Sequence, residues 1–208
     1  MDDPENRALY LADRLSYLAK PFSEAGDLDA TTELLDLLLS VAPARESSTI
    51  ALHLDETWFP QLEGALKRLS EASPEATYRM LMTRLREAIA ASGPDTEAHS
   101  SVWRRAVENH EQDRKIIDVP LHFLHDATRD ALLTWSTHDL DAAATDVSEL
   151  LQSESVVFRR LALWALRAYP EIMPRLRGRA NREWVMACGV AGFPSGSGST
   201  PGARGARR

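Results

Sequence analysis

Two histidines three residues apart, His122 and His125, are followed by Asp126, and His110 lies twelve residues upstream; these are the side-chain types that hold zinc or iron. On a helix, however, a spacing of three sets one imidazole on the apolar stripe beside Leu121 and Leu124 and leaves the other to solvent, so the pair reads as one packed and one solvated histidine. His110-Glu111 lacks the second histidine of a His-Glu-x-x-His zinc site, because position 114 is Arg. Glu108, Glu111 and Asp113 are general acid or base types, yet carboxylates spaced along an amphipathic segment ordinarily form its solvated face. Ser100, Ser101 and the serines near the end of the chain have no Gly-x-Ser-x-Gly context. Cys188 is the only cysteine, which excludes an intramolecular disulfide and a thiolate zinc cluster, and no activating side chain stands near it in sequence. No Gly-x-x-x-x-Gly-Lys-Ser/Thr loop is present, so phosphate cradling of that type is excluded. Trp58, Trp103, Trp135, Trp164 and Trp184 have the rings for base stacking, but four fall within or beside expected helices, where packing is their commoner use. The expectation is no catalytic residue, no cofactor and no metal.

What remains is a cationic stripe. In Leu150 to Tyr169, LLQSESVVFRRLALWALRAY, one helix ends, Ser153-Glu154-Ser155 caps a second, and the only charges after it are Arg159, Arg160 and Arg167. At about 100° per residue Arg160 and Arg167 fall about 20° apart, with Arg159 beside them. These three arginines are the possible interaction surface: they either pair with carboxylates of the preceding helix, such as Asp146 and Glu149, or receive an acidic partner. Because the rest of the circumference is apolar, this helix is expected in an inner layer, with Leu161, Trp164 and Leu166 buried.

The elements that would carry this stripe are helices. Asp3-Pro4 starts one with a Leu11, Leu15 and Leu18 stripe; Asp29 or Thr31 starts a second, 31–41, which Pro43 ends. Residues 44–57 are ambiguous between a short strand at 49–54 and a helical turn, and helix is favoured. Pro60 opens a helix to Ala72, with Trp58 and Phe59 as a hydrophobic staple. Ser73-Pro74-Glu75 opens another that buries Tyr78, Leu81, Met82, Leu85 and Ile89 and closes at Gly93-Pro94. Helices follow over Ser101 to Glu111, from Asp118-Val119-Pro120 to Trp135 on a Leu121, Leu124, Thr128, Ala131, Leu132 and Trp135 stripe, and from Asp139 or Asp141 to Leu151. Pro170 and Pro174 break the pattern, and 181–189 forms a last short helix.

Length and charge set the frame. The 208 residues suit one domain, placed at 1–190, followed by a disordered basic Gly/Ser/Pro/Arg tail at 191–208. Residues 1–170 carry 17 Lys and Arg against 29 Asp and Glu, net −12, whereas 171–208 carry seven Arg against two Glu, net +5. An acidic body disfavours a nucleic-acid footprint, whose affinity comes largely from phosphate contacts. The polar, acidic start and the absence of a long apolar run point to the cytoplasm rather than a membrane or secretion.

The run Phe158-Arg159-x-x-Ala162-x-x-Ala165-Leu166 after a short acidic turn resembles the second helix of a HEAT-type repeat, with Phe158 where that pattern has Val. Val102 to Leu133, VWRRAVENHEQDRKIIDVPLHFLHDATRDALL, is similar to helical regions of large bacterial STAND-type ATP-binding proteins, outside their nucleotide-binding domain. These resemblances imply an all-α fold, an irregular α-solenoid or stack of helical hairpins with about eight to nine helices. They also imply a non-catalytic scaffold for a protein or peptide partner in a bacterial defence or signalling system. The alternative is a HEAT-like nucleic-acid-binding protein or DNA alkylation-repair glycosylase, resembling the alkylpurine DNA glycosylases, a family that uses a positively charged concave surface; the net charge of the body departs from it.

Overall fold

The computed structural model describes residues 4–41, 52, 54, 56–93 and 119–175. The expected helices at 101–111 and 181–189 and the tail at 191–208 lie outside these residues. Among those described the fold is all-helical: α1 (Pro4–Ala25), α2 (Leu28–Leu38), a 3-10 turn at Glu56–Trp58, α3 (Phe59–Ala72), α4 (Pro74–Ser92), α5 (Val119–His138), α6 (Leu140–Leu151) and α7 (Val156–Ala168). None of these helices is long and apolar enough to cross a membrane.

The caps explain most of the boundaries. Asp27, rather than Asp29 or Thr31, opens α2: its Oδ1 accepts the Ala30 N–H at 3.1 Å, so that helix begins three residues earlier than expected. Asp139 caps α6 by accepting the Ala142 N–H at 2.9 Å, and the Ser155 hydroxyl caps α7 by accepting the Phe158 N–H at 3.3 Å. Pro60 and Pro74 sit in the first turns of α3 and α4, where the missing N–H costs nothing. Gly26 (φ 75°) turns the chain between α1 and α2, and Gly93 (φ 106°) ends α4; both conformations disfavour a side chain. In the ambiguous stretch, Leu52 forms an isolated antiparallel bridge with Val41, so the favoured helix is corrected there to an extended pairing. Leu52 and Leu54 are both buried.

Packing joins each helix to the next in sequence and, along much of the chain, to the next but one: α1 with α3, α2 with α4, α3 with α5, and α5 with α7. The buried faces of α4 and α5 are those the periodicity predicts, from Tyr78 to Ile89 and from Leu121 to Trp135. Phe59 of α3 stacks on Phe123 of α5 at 4.5 Å, and Trp58 packs edge-on against Tyr17 of α1 at 5.0 Å, so the two staple residues are divided between two neighbours.

Two expectations fail in opposite senses. On α1, Leu11 is 58 % exposed and Leu18 is also exposed, while the helix buries Ala12, Ser16, Ala19 and Ser23. The serines can go inside because their hydroxyls donate to carbonyls of their own helix, Ser16 to Asp13 at 2.7 Å and Ser23 to Lys20 at 2.8 Å. A stripe of small residues then admits a neighbouring backbone closely. On α7, Val157, Phe158, Leu161, Ala162 and Ala165 are buried as one face, but Trp164 and Leu166 are half-buried and Leu163 is 58 % exposed. α7 is therefore an amphipathic edge helix, not an inner one.

Candidate functional site

The arginine stripe of α7 is divided by its surroundings. Arg159 bends back to its own helix start, where Nη1 donates to the carbonyl oxygens of Ser153 at 3.0 Å and Glu154 at 3.2 Å. Arg160 is half-buried and Arg167 exposed, with Leu163 between them on the outer face. Of the carboxylates expected to pair with the stripe, Asp146 is held by Arg79 of α4, whose Nη1 lies 2.7 Å from both of its oxygens.

Asp146 is the centre of a cluster that the periodicity does not announce. Its side chain is 6 % exposed on α6, Arg79 comes from α4, and the Arg79 guanidinium lies over the Trp135 ring of α5 at 5.0 Å and the Tyr78 ring at 5.7 Å. Tyr78 and Trp135 are themselves stacked at 5.0 Å and fully buried. A buried carboxylate needs a cation and hydrogen bonds to offset its desolvation, and Arg79 supplies both. The Tyr78 hydroxyl is buried beside Asp146. Burial first, and the nearby Asp146 anion second, push its pKa far above the ordinary value near 10, so the phenol stays protonated.

A second cluster surrounds His122 and His125. His125 is buried and its Nδ1 lies 3.4 Å from Asp126 Oδ1, while His122 is half-buried. Asp126 Oδ1 accepts from Arg129 Nη1 at 3.1 Å, and Asp130 is 2.6 Å from Arg129 Nη2. The Arg129 side chain is only 5 % exposed, and its guanidinium lies over the Trp164 ring of α7 at 5.4 Å. Among the described residues no three His, Cys, Asp or Glu side chains converge as a metal site; His110 is outside them.

Arginines thus tie helices to their next-but-one neighbours repeatedly. Arg68 of α3 donates to Glu24 of α1 at 3.3 Å, Arg84 of α4 grips Asp36 of α2 at 2.8 and 2.5 Å, Arg79 of α4 holds Asp146 of α6, and Arg129 of α5 lies on Trp164 of α7. These charged groups tie the helices together. Among the described residues, large apolar side chains left exposed include Leu11 and Leu163, each 58 % exposed, and Tyr17 and Leu37 at 53 %. In comparisons with protein-family models, curated proteins and solved structures, nothing matches the chain.

Proposed function

We propose that this chain is a non-catalytic helical scaffold for protein–protein interaction, acting in the cytoplasm as a sensor or regulatory segment of a bacterial defence or signalling system, with the outer face of α7 as its binding surface. The observation that carries the reading is Leu163, 58 % exposed on a helix whose other exposed side chains include Arg167 and whose shoulders are half-buried Trp164 and Leu166. An exposed leucine costs hydration free energy that a partner removes, and the arginines around it supply hydrogen-bond donors and orientation. The engagement of the buried charges in ties between helices supports the same reading over an enzymatic one.

Capture from a lysate of the native host tests it, with wild type and Leu163→Asp as paired baits and mass spectrometry as the readout. Wild type should retain a specific protein that the variant loses while its melting temperature holds. Equal capture by both baits would overturn the assignment of the face, and retention of DNA by both would turn it towards the nucleic-acid alternative.

A further inference from the structure

Two helices of this protein, α7 and α2, carry side chains of opposite sign. α7, VVFRRLALWALRA, has three arginines and no carboxylate; α2, LDATTELLDLL, has three carboxylates and no basic residue. Each face also exposes one large apolar side chain, Leu163 on α7 at 58 % and Leu37 on α2 at 53 %. Asp29 and Glu33 are exposed on the same side of α2 as Leu37, at successive four-residue steps. Among the described residues the main packing neighbours of α2 are α1, α3 and α4, whereas those of α7 are α5 and α6.

We propose that α7 of one copy docks on α2 of a second copy of this chain, head to tail. With Leu163 set against Leu37 and the helices antiparallel, the four residues to Arg167 and the four to Glu33 each span about 6 Å, so these opposite charges face each other. In the same alignment Arg160 comes to the C-terminal end of α2, the negative end of its dipole. An arginine has five N–H donors, so one that already serves its own chain still has donors to offer. The antiparallel register uses both leucines and both charge signs at once. Because the two patches differ, the contact is heterologous and propagates into a ring or an open chain of copies. Two leucines and a few ion pairs place the contact at the small, weak end of protein interfaces, so assembly depends on concentration and falls with salt.

The pairing rests on reading α7 as a protein-binding face, and a charge swap separates the two ideas. Sedimentation velocity is run from about 1 µM to about 1 mM on wild type, Arg167→Glu, Glu33→Arg, and an equal mixture of the two variants. Wild type should form larger species as concentration rises. Each variant alone, with like charges across the contact, should need at least about tenfold more protein to do so, and the mixture should recover wild-type behaviour. Leu37→Asp, which leaves every arginine in place, should abolish assembly, with circular dichroism confirming the fold. A wild type that stays monomeric throughout, or a mixture no better than its components, overturns the inference. If wild type is monomeric while Leu163→Asp still loses a captured partner, the scaffold reading stands and the self-docking fails.

Discussion

Trp135 and Trp164 each lie beneath an arginine whose guanidinium is held by carboxylates, but the two clusters are inside out with respect to each other. At Trp135 the ring is fully buried and its cation, Arg79, is half-exposed, reaching in to a buried Asp146. At Trp164 the cation, Arg129, is buried and the ring half-exposed, with Asp126 and Asp130 reaching out to water. The same three side-chain types therefore serve different ends. In the first cluster the arginine stabilises a carboxylate that would otherwise be stranded; in the second the carboxylates stabilise a stranded arginine, and the tryptophan covers it. Which member is indispensable follows from which one is buried, not from its chemistry.

The largest expected effect tests the rings. Trp135→Ala should cost about 4 kcal/mol in a denaturant titration through lost transfer energy and the cavity left, and Trp164→Ala less than half of that; equal losses would break the contrast. Next come the ion pairs. Arg79→Met strands the Asp146 carboxylate and should cost about 3 kcal/mol, while Arg79→Met with Asp146→Leu should recover most of it. At the edge the order inverts, so Asp126→Ala with Asp130→Ala, which strands Arg129, should cost about 2 kcal/mol and exceed the loss from Arg129→Met.

A smaller effect depends on alkaline pH. The folded Tyr78 phenol has a raised pKa, so its contribution to stability is complete below the ordinary value near 10 and is lost as pH climbs past it, where only the unfolded chain ionises. Above pH 10 wild type should lose about 1.4 kcal/mol per pH unit more steeply than Tyr78→Phe, measured by denaturant midpoints; parallel curves would show that the hydroxyl is not buried. Smallest of all in stability is Leu163→Asp, expected to shift it by no more than about 0.5 kcal/mol, since the side chain is already in water.

The inner faces of α4 and α5 were legible because a 3.6-residue apolar repeat leaves one solution, and every member from Tyr78 to Ile89 and Leu121 to Trp135 went inside. Proline and serine marked the start of α4 and the serine turn that of α7 for the same local reason. Reading failed where burial and hydropathy part. Ser16 and Ser23 look polar in sequence but satisfy their hydroxyls within α1, so the small face of that helix outcompeted its leucines for the interior. α7 looks buried all round because nothing in its own residues records that one side lacks a neighbour among α1 to α6. The Arg79–Asp146 pair spans 67 positions and the Arg84–Asp36 pair 48, and no local pattern encodes such distances. By contrast the Asp126–Arg129 pair is local, with an i,i+3 spacing on α5 that a sequence can carry.

The neighbour and next-but-one packing of the helices also sets how the chain acquires its structure. Most main contacts join elements that are adjacent or nearly so in sequence, so little entropy of loop closure is spent before apolar burial begins. Low sequence separation between contacting elements favours fast formation of the local helix pairs. The first hairpins to close can then serve as templates on which the following helices condense, whichever end starts.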